Sequence, residues 1–580
     1  MNNRSYYSAP IAEFIGAESS PILGDLAQNH QHNLEPLQKN AWLEQIEILQ
    51  SQFALISEGY IFFEFSIPRM GKRADVIFIY KDVVFVIEFK VGSDTYHAHD
   101  RDQVVDYALD LKYFHEGSHE ACIVPILVAT EAPDKENTFE LSDDLLAACL
   151  FANKDSIAQL IHECHGRWPH QRALEPVAWA KSRYKPTPTI VQAAQALYRG
   201  HKVEEISRSE AGATNLTVTA GEIGEIIERS KRLGQKSICF ITGVPGAGKT
   251  LAGLNITTER MRTDVDEHAV FLSGNGPLVE VLREALAREK KERDGISKKE
   301  ARQEANTFIQ NIHHFRDDNL ETDLAPVEKV VVFDEAQRAW DKAHTAKFMR
   351  QKRDQAGFDM SEPEFLIKVM DRHDDWCVII ALIGGGQEIN TGEAGLPEWF
   401  SALRNRFNDW HVYYSQDMDG DEYTQGGPLK DQLQGLNAVS SKNLHLAVSV
   451  RSFRAEKLSE FVHYLIANES YKASALYDQI KDKYPIVITR ELAVARQWIR
   501  SKARGGELFG LVASSGGIRL KPYGVNVKSN ITAADWFLNG RRDVRACQYL
   551  EDVATEFDIQ GLELDWCGVC WDGDLRYIDG

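Results

Sequence analysis

The sequence predicts an α/β protein of several domains, and three observations support this class. From about residue 231, short apolar runs such as SICFITG and KVVVFDEA alternate with helical stretches. Such alternation is typical of parallel sheets with helices on both faces. Nearer the N-terminus, RADVIFIYKDVVFVIEFKVG (73–92) holds two apolar runs around Lys81-Asp82, which is typical of an antiparallel hairpin. The length of 580 residues predicts about three or four domains.

Changes of pattern along the chain predict four segments. Residues 1–180 contain a helical stretch (AWLEQIEIL), the hairpin, a second helix (DQVVDYALDLKYF) and an apolar strand (CIVPILVAT). Residues 181–230 form a connecting segment that includes KPTPT, since Pro disfavours both helix and central strand. Two parallel-sheet domains follow at 231–440 and 441–580. In the second of them, LHLAVSV, YPIVITR and FGLVASS are the predicted strands.

Composition limits the classes of partner. The formal net charge is −20, so the chain is not expected to coat nucleic acid non-specifically, because phosphate contacts need local Lys and Arg. A confined basic groove would be required, and KSRYK (181–185), RSKR (229–232) and RLKPYGVNVK (519–528) are candidates, although each is also typical of a solvated loop. No apolar run reaches the roughly 20 residues of a membrane span. Eight scattered cysteines and no visible secretory signal favour reduced thiols and a cytoplasmic location.

The hairpin carries charges inside its apolar strands. If Lys81-Asp82 is a two-residue turn, the register places Asp75 opposite Glu88, with Lys90 on the same face. Directly opposed carboxylates destabilise a sheet, so the pair is expected to share a cation. Mg²⁺ is a hard divalent ion that takes such oxygen ligands. The alternative is an edge hairpin with solvated charges, or a plain Glu–Lys pair.

Two polar residues follow the hairpin on one face of a helix. Gln103 and Tyr107 stand at i and i+4 in QVVDY. The combined pattern, Asp75…Glu88-Phe-Lys90…Gln103-x-x-x-Tyr107, resembles the PD-(D/E)XK nuclease superfamily.

This resemblance implies a fold and a set of roles. Residues 1–180 would form a restriction-endonuclease-like α/β/α domain. The two hairpin acids would bind Mg²⁺, and Lys90 would assist the attacking water. A helix upstream of the hairpin often supplies a further acid in this superfamily, and Glu47 is the candidate, with Glu44 close behind.

A phosphate-binding loop stands between a strand and a helix. GVPGAGKT (243–250) follows SICFIT and precedes LAGLNITTERM, which is the context that G-x-x-x-x-G-K-[ST] requires. Backbone N–H groups and the helix N-terminus cradle phosphate. Lys249 is expected to reach the β- and γ-phosphates, and Thr250 to bind Mg²⁺. The glycines expected to shape the loop around the nucleotide are Gly243, Gly246 and Gly248.

Polar residues end two later strands. KVVVFDEAQRAW contains Asp334, expected to hold the Mg²⁺ shell, and Glu335, expected to be the general base for the attacking water. A carboxylate pair at this place favours hydrolysis over transfer to a small acceptor. LIGGGQEIN ends in a glycine-rich turn, where Gln387 can report the state of the γ-phosphate with help from Gln337. The alternative for Gln387 is a plain turn residue.

Together these motifs resemble the first RecA-like domain of superfamily 1 helicases. GVPGAGKT resembles motif I, DEAQ motif II and GGGQ motif III, and LSGNGPLVEVL stands where motif Ia falls. The resemblance covers about 231–575. It implies two RecA-like domains with ATP bound between them.

The second of these domains resembles the family less completely. LAVSVRSF resembles motif IV, which implies that Arg451 approaches the γ-phosphate. TEFDIQGLELDW resembles motif V, which implies that Gly561 and Glu563 serve the nucleotide or the cleft between domains. No motif VI is recognisable after it, so this domain is expected to be incomplete. Either the chain is a truncated form, or Arg451, with the help of Arg454, carries the transition-state charge alone.

The combination resembles bacterial nuclease–helicase fusions, including those in antiphage immunity. The expected protein is an ATP-dependent DNA helicase or translocase fused to a Mg²⁺-dependent DNA nuclease, with single-stranded or tailed duplex DNA as its partner and no membrane partner. The alternative is an ATP-gated nucleic-acid-binding switch that cuts without unwinding, and RNA is the alternative substrate. Unwinding polarity and oligomeric state do not follow from the sequence.

Overall fold

A computed structural model describes most of the chain. The residues it leaves out are 1–3, 31–35, 68–71, 143, 169–172, 183–188, 201–209, 245, 264–266, 321, 353–357, 385–394, 420–422, 424–426, 448–452, 482–483 and 578–580. The chain divides into two compact units, the first formed by Met1–Thr187 with Arg500–Leu508, and the second by Pro188–Ile499 with Phe509–Gly580.

The first unit is a mixed sheet between two layers of helices. Its strands, in the spatial order β1-β2-β3-β4-β5-β6, are antiparallel from β1 to β4 and parallel from β4 to β6. The strands are β1 (Tyr7–Pro10), β2 (Tyr60–Ile67), β3 (Lys72–Tyr80), β4 (Val83–Lys90), β5 (Cys122–Ala129) and β6 (Leu150–Ala152). The helices are α1 (Ile11–Gly16), α2 (Ser19–Asn29), α3 (Pro36–Phe53), α4 (Ala98–Phe114), α5 (Ile157–Arg167) and α6 (Pro176–Lys181).

Alternating side chains on the strands build two separate cores in this unit. Phe63, Phe78 and Phe85 face one side, where they pack with apolar residues of α1, α2, α3 and α5. Ile77 and Val86 face the other side, where α4 and α6 cover them. This follows from the period of two along a strand. The central strand β4 is therefore buried on both faces.

The second unit contains a large parallel sheet in the order β13-β12-β7-β11-β10-β8-β9, and β14 pairs with the end of β7. Its described neighbouring strands pair in parallel, as the alternating pattern predicts. The strands are β7 (Lys236–Gly243), β8 (Ala269–Ser273), β9 (Ile309–Asn311), β10 (Val330–Asp334), β11 (Cys377–Leu382), β12 (His411–Ser415), β13 (Asn437–Ser441) and β14 (His445–Leu446).

Helices cover both faces of this sheet. One core contains residues of α7, α8, α9, α10 and α11, and the opposite core contains residues of α12, α14 and α15. The helices are α7 (Ile190–Arg199), α8 (Glu210–Leu233), α9 (Lys249–Thr263), α10 (Gly276–Asp294), α11 (Lys298–Phe308), α12 (Ile312–Asp318), α13 (Lys342–Lys352), α14 (Glu362–Met370), α15 (Gly395–Arg406) and α16 (Leu429–Gln432).

A smaller parallel sheet follows in the same unit, in the order β16-β15-β17. Its strands are β15 (Phe509–Ala513), β16 (Val553–Thr555) and β17 (Trp566–Cys570). The remaining helices are α17 (Phe453–Ile466), α18 (Ser470–Ile480), α19 (Leu492–Lys502) and α20 (Ala533–Leu538). Of the three strands predicted after residue 441, FGLVASS is confirmed as β15.

The other two predictions in this region need correction. YPIVITR forms no strand, and Ile488 in it is 96% exposed. An apolar run becomes a strand only beside a partner, and β15 already has β16 and β17 on its two sides. In LHLAVSV, residues 448–450 lie outside the described residues. Among the others, His445–Leu446 forms a strand, and it pairs with β7 of the large sheet rather than with the small one.

The described part of the chain holds no helix that combines the length and the apolar character needed to cross a bilayer.

Candidate active sites

The register of the hairpin agrees with its sequence pattern. β3 and β4 pair from Tyr80↔Val83 to Val76↔Ile87, so Lys81-Asp82 is a two-residue turn, as predicted. Lys81 adopts a φ of +58° there. Asp75 and Glu88 occupy the next positions of the same register. Asp75 Oδ2 accepts a hydrogen bond of 2.8 Å from the amide of Phe89, which fixes one of its carboxylate oxygens against β4.

Lys90 lies among three oxygen acceptors. Its Nζ is 3.1 Å from Glu88 Oε1 and 3.2 Å from Gln103 Oε1. The third acceptor is Asp100 Oδ1, at 3.4 Å, in the first turn of α4. Three N–H groups of an ammonium can therefore each point to a different side chain.

Gln103 links the lysine to the acid. While its Oε1 accepts from Lys90, its Nε2 lies 2.8 Å from both Glu88 Oε1 and the hydroxyl of Tyr107. Tyr107 is buried in the α4 side of the core. The predicted pair Gln103 and Tyr107 thus orients the hairpin charges from the neighbouring helix.

Electrostatics favour a cation beside the two hairpin acids. Burial raises the pKa of Asp75, against the Phe89 amide and Lys90, which lower it. Burial, and then the charge of Asp75, raise the pKa of Glu88. Glu88 is 4% exposed, and its Oε2 is buried without a hydrogen-bond partner. Burying a carboxylate oxygen in this way is costly unless something positive binds it.

The donor set fits Mg²⁺ better than a soft or all-protein metal site. Across the described residues, no group of three or more His, Cys, Asp or Glu side chains is arranged to hold a metal ion. Mg²⁺ is commonly held by one or two carboxylates and completes its shell with water and phosphate oxygens. Asp75 and Glu88 satisfy that requirement.

Two acidic residues near this site were missed at the level of the sequence. Asp100 contacts Lys90, as described above. Glu64 stands between the pairs Phe63↔Val76 and Phe65↔Ala74, and therefore at the level of Asp75. It has a φ of +52°, and Trp42 Nε1 donates to its Oε1 at 2.8 Å. Burial and Asp75 raise its pKa to about 7. Extending the hairpin register to β2 would have found Glu64.

The helix α3 leaves its predicted acid at the surface. Glu47 is exposed and Glu44 is half-buried. Neither is among the charged groups that shift the pKa of Asp75 or of Glu88. Trp42 is the α3 residue that reaches this region, through its bond to Glu64.

The phosphate loop has the predicted strand–loop–helix setting. It begins at Gly243, the last residue of β7, and α9 begins at Lys249. Gly246 and Gly248 have φ of +75° and +82°, a region that glycine enters without steric cost. Lys249 Nζ donates to the carbonyl of Gly243 at 3.0 Å, so the lysine folds back over its own loop.

Motif II meets the phosphate loop at the end of β10. Thr250 Oγ1 lies 3.3 Å from both carboxylate oxygens of Asp334. Burial and the neighbouring Glu335 raise the pKa of Asp334, while Thr250 and Lys249 lower it. Glu335 has a φ of +54°, which turns the chain sharply after the strand. The hydroxyl and the carboxylate are thus together, as a Mg²⁺–nucleotide site requires.

Gln337 connects this acid to the end of β11. Its Nε2 donates to Glu335 Oε2, and its Oε1 accepts from the amide of Gly384 at 2.9 Å. A Cβ at Gly384 would lie 2.8 Å from Gln337 Nε2, so a larger residue at this position would displace the Gln337 amide. Gln387, the predicted γ-phosphate sensor, lies outside the described residues.

β14 lies against the start of the phosphate loop. His445 pairs with Thr242 and Leu446 with Gly243, and Thr242 Oγ1 is 2.8 Å from His445 Nδ1. Arg451, five residues after Leu446, lies outside the described residues. Its predicted role at the γ-phosphate therefore stays a prediction.

The predicted motif V segment touches the predicted motif Ia. Asn275 caps α10 by accepting from the Leu278 amide, and its Nδ2 donates to the carbonyl of Gln560 at 2.6 Å. Gly561 has a φ of +76°, and a Cβ there would lie 3.0 Å from Asn275 Nδ2. Glu563 is exposed two residues further on.

The predicted basic runs already have acidic or backbone partners at several positions. Lys231 pairs with Glu267 at 3.0 Å. Arg519 pairs with Asp572 at 2.6 Å, and Lys528 Nζ donates to the carbonyl of Ser515. These contacts favour surface ion pairs over a continuous phosphate path at these runs.

Comparison with protein families decides the class of the larger unit. The family model for the Schlafen group 3 DNA/RNA helicase domain matches residues 236–580. The chain belongs to this family. The match begins at the first residue of β7 and includes the phosphate loop and the Asp334-Glu335 turn. The Schlafen group 3 domain therefore accounts for both halves of the nucleotide site described above, and a helicase-type fold is shown.

Other comparisons add less to the Schlafen group 3 assignment. No match is found among curated proteins. Among solved structures, the crystal structure of the Pyrococcus furiosus Hef helicase domain is similar over 59% of this chain and 87% of that chain, with 14% identity and a TM-score of 0.23. At that TM-score the likeness carries no conclusion.

Proposed function

We propose that the Schlafen group 3 domain hydrolyses ATP in response to nucleic acid and uses it to move along or unwind the strand. The contact of Thr250 with Asp334 carries this proposal. It joins the end of the phosphate loop to the carboxylate that holds the Mg²⁺ shell in P-loop enzymes. The location of Leu446 beside Gly243 supports a role for the following segment, with Arg451, near the γ-phosphate.

The chain's own residues divide the work of hydrolysis. The backbone N–H groups around Gly246 and Gly248 bind phosphate, and Lys249 leaves the Gly243 carbonyl to bind the γ-phosphate. Glu335 accepts a proton from the attacking water. Gln337 orients Glu335 through their hydrogen bond. Mg²⁺, when bound by Thr250 and Asp334, neutralises charge on the phosphates.

We further propose that the first unit is a Mg²⁺-dependent nuclease of the PD-(D/E)XK type. The unpartnered Oε2 of buried Glu88 carries this proposal. Asp75 and Glu88 would hold the metal, which when bound supplies charge stabilisation at the scissile phosphate. Lys90 stabilises negative charge on that phosphate, and Gln103 holds both Lys90 and Glu88 in place. DNA is the proposed substrate. A role in antiphage defence rests on the resemblance of the two motif sets alone.

One crossed experiment tests both activities. Wild type, Lys90→Ala and Lys249→Ala are each given end-labelled single-stranded DNA, a matched RNA and a tailed duplex, with Mg²⁺ and with or without ATP. Lys90→Ala should lose cutting and keep ATP hydrolysis, whereas Lys249→Ala should lose ATP hydrolysis and keep ATP-independent cutting. Lys81→Ala is the matched control, because Lys81 is on the same hairpin, at the turn.

The outcomes separate the proposals. Cutting by Lys90→Ala at the wild-type rate contradicts the nuclease. Hydrolysis by Lys249→Ala at the wild-type rate contradicts the ATPase. ATP hydrolysis and cutting without any unwinding of the tailed duplex would leave the ATP-gated switch as the function, and preference for the RNA strand would change the substrate.

A further inference from the structure

Asp100 is the acidic residue of α4 that contacts Lys90. It lies in the first turn of α4, is 6% exposed, and its Oδ1 is 3.4 Å from Lys90 Nζ. A carboxylate at a helix N-terminus is favoured by the helix dipole. The helix dipole and the Lys90 ammonium therefore both favour an acidic residue at this position.

The three contacts of Lys90 come from two different elements. Glu88 is on the same strand as Lys90, two residues away, and moves with it. Gln103 and Asp100 come from α4, so they fix the ammonium relative to the helix. Of these two, Gln103 also binds Glu88, whereas the other neighbour of Asp100 is the ring of His99, at 3.2 Å. Gln103 therefore holds both Lys90 and Glu88, whereas the contact of Asp100 within the site is with Lys90.

We propose that Asp100 is a positioning residue of the nuclease site, which holds the Lys90 ammonium where the scissile phosphate binds. The proposal rests on the proposed nuclease function and deepens it. A lysine side chain loses conformational freedom when it is fixed, so it stays in one place only if its contacts outweigh that loss. Without Asp100, Nζ keeps Glu88 and Gln103 alone and moves toward the hairpin acids.

This displacement has a specific consequence. Lys90 would still be present and charged, and Asp75 and Glu88 would still be able to bind Mg²⁺. The loss should therefore fall on the rate of the chemical step, where a misplacement of about 1 Å can cost roughly 100-fold, and not on the binding of DNA or metal.

The test compares Asp100→Ala, Asp100→Asn and Asp102→Asn in the full chain. Asp102 is the matched control, because it is on the same helix and pairs with Arg101 on the surface. Single-turnover cutting of labelled single-stranded DNA at saturating protein gives the rate, and titrations give the DNA Kd and the Mg²⁺ concentration for half-maximal cutting. We expect Asp100→Ala to cut about 10- to 100-fold more slowly, Asp100→Asn to lose less because it keeps an acceptor, and Asp102→Asn to equal the wild type.

The remaining outcomes overturn the inference in distinguishable ways. If Lys90→Ala is inactive while Asp100→Ala and Asp100→Asn both cut at the wild-type rate, the positioning role is wrong and the nuclease stands. If Asp100→Ala has a lowered Tm and cuts at the wild-type rate well below that Tm, the loss is one of stability and the positioning role is wrong. A loss confined to DNA Kd or Mg²⁺ requirement also contradicts it. If the wild type does not cut either nucleic acid, the nuclease and this inference both fail.

Discussion

Each of the two units of the chain holds a carboxylate pair, and the two pairs are built in different ways. Asp75 and Glu88 stand on neighbouring antiparallel strands and meet through the register of a hairpin. Asp334 and Glu335 are consecutive residues at the end of a parallel strand, turned apart by the φ of +54° at Glu335. Burial raises the pKa of Asp75, Glu88 and Asp334.

The difference lies in which carboxylate oxygens of each pair already accept hydrogen bonds. Asp334 has Thr250 against both of its oxygens, and Glu335 has Gln337. In the hairpin, Glu88 Oε1 has Lys90 and Gln103, but Glu88 Oε2 has no hydrogen-bond partner. The hairpin pair should therefore depend on a metal ion for its stability more than the nucleotide pair does.

The largest expected effect tests whether Glu335 is the general base of the pair, with Asp334 as the acid that binds Mg²⁺. Glu335→Gln should lower nucleic-acid-stimulated ATP hydrolysis by about 10²- to 10⁴-fold and leave ATP binding close to the wild type, because the amide cannot take a proton from water. A steady-state ATPase assay and a fluorescent ATP-analogue titration measure the two quantities. ATP-independent DNA cutting serves as the internal control. Hydrolysis within twofold of the wild type would remove Glu335 from the base role.

A smaller loss is expected from breaking the link at Gln337. Gly384→Ala would place a Cβ 2.8 Å from Gln337 Nε2 and 3.2 Å from Glu335 Oε2. It should therefore slow ATP hydrolysis in the same way as Gln337→Ala. The expected loss is about 10-fold, which corresponds to the loss of one hydrogen bond to a charged group. Gly221→Ala is the control, since a Cβ there has open space. An unchanged rate in both site variants would show that Glu335 does not need Gln337.

The pH dependence of stability should distinguish the hairpin pair. A carboxyl group whose pKa is raised by folding stabilises the fold at low pH, and this stabilisation is lost as the pH rises through the raised value. Glu88→Gln, which stays neutral, should therefore gain Tm relative to the wild type between pH 5 and pH 8 in the presence of EDTA. Thermal unfolding at pH 5 and at pH 8, both with EDTA, measures the gain. A change of 1 kcal/mol in the free energy of unfolding corresponds to about 2–4 °C in Tm for a domain of this size.

Added Mg²⁺ should raise the Tm of the wild type and so reduce its difference from the Tm of Glu88→Gln. The ion binds the ionised carboxylates of Asp75 and Glu88, and this binding offsets the stability that is lost when they ionise. If the Tm difference between Glu88→Gln and wild type is the same at pH 5 and at pH 8, the ionisation of buried Glu88 does not destabilise the fold.

The smallest effects compare two upstream acids. Glu47 is exposed on α3, so Glu47→Gln should cut DNA at the wild-type rate. Glu64 is half-buried beside Asp75, so Glu64→Gln should change the rate by a few-fold through its charge. Single-turnover cutting measures both. A large loss in Glu47→Gln, with none in Glu64→Gln, would restore the helix acid that the superfamily resemblance implies.

The features that could be predicted from the sequence were those with local determinants. The phosphate loop and the Asp334-Glu335 turn are contiguous motifs, and their setting follows from adjacent apolar runs. The hairpin register followed from a two-residue turn and the period of two. Asp100 could not be assigned in this way, because its contact with Lys90 depends on the path of the chain between β4 and α4.

Strand pairing was the other limit. YPIVITR has the composition of a strand, but a strand needs a neighbour, and the neighbours of β15 are β16 and β17. Likewise, nothing in the sequence of LHLAVSV indicates that His445–Leu446 pairs with β7 of the large sheet. Composition sets the tendency to form strands, and contacts far along the chain decide where they pair.

The central claim is that Asp75 and Glu88 form a divalent-cation site independent of the nucleotide site. Calorimetric titration of nucleotide-free protein with Mn²⁺, as a stronger-binding substitute for Mg²⁺, tests it directly in wild type, Glu88→Gln and Thr250→Val. The account predicts one binding event in wild type and in Thr250→Val, and its loss in Glu88→Gln. Wild-type affinity and stoichiometry in Glu88→Gln would contradict it.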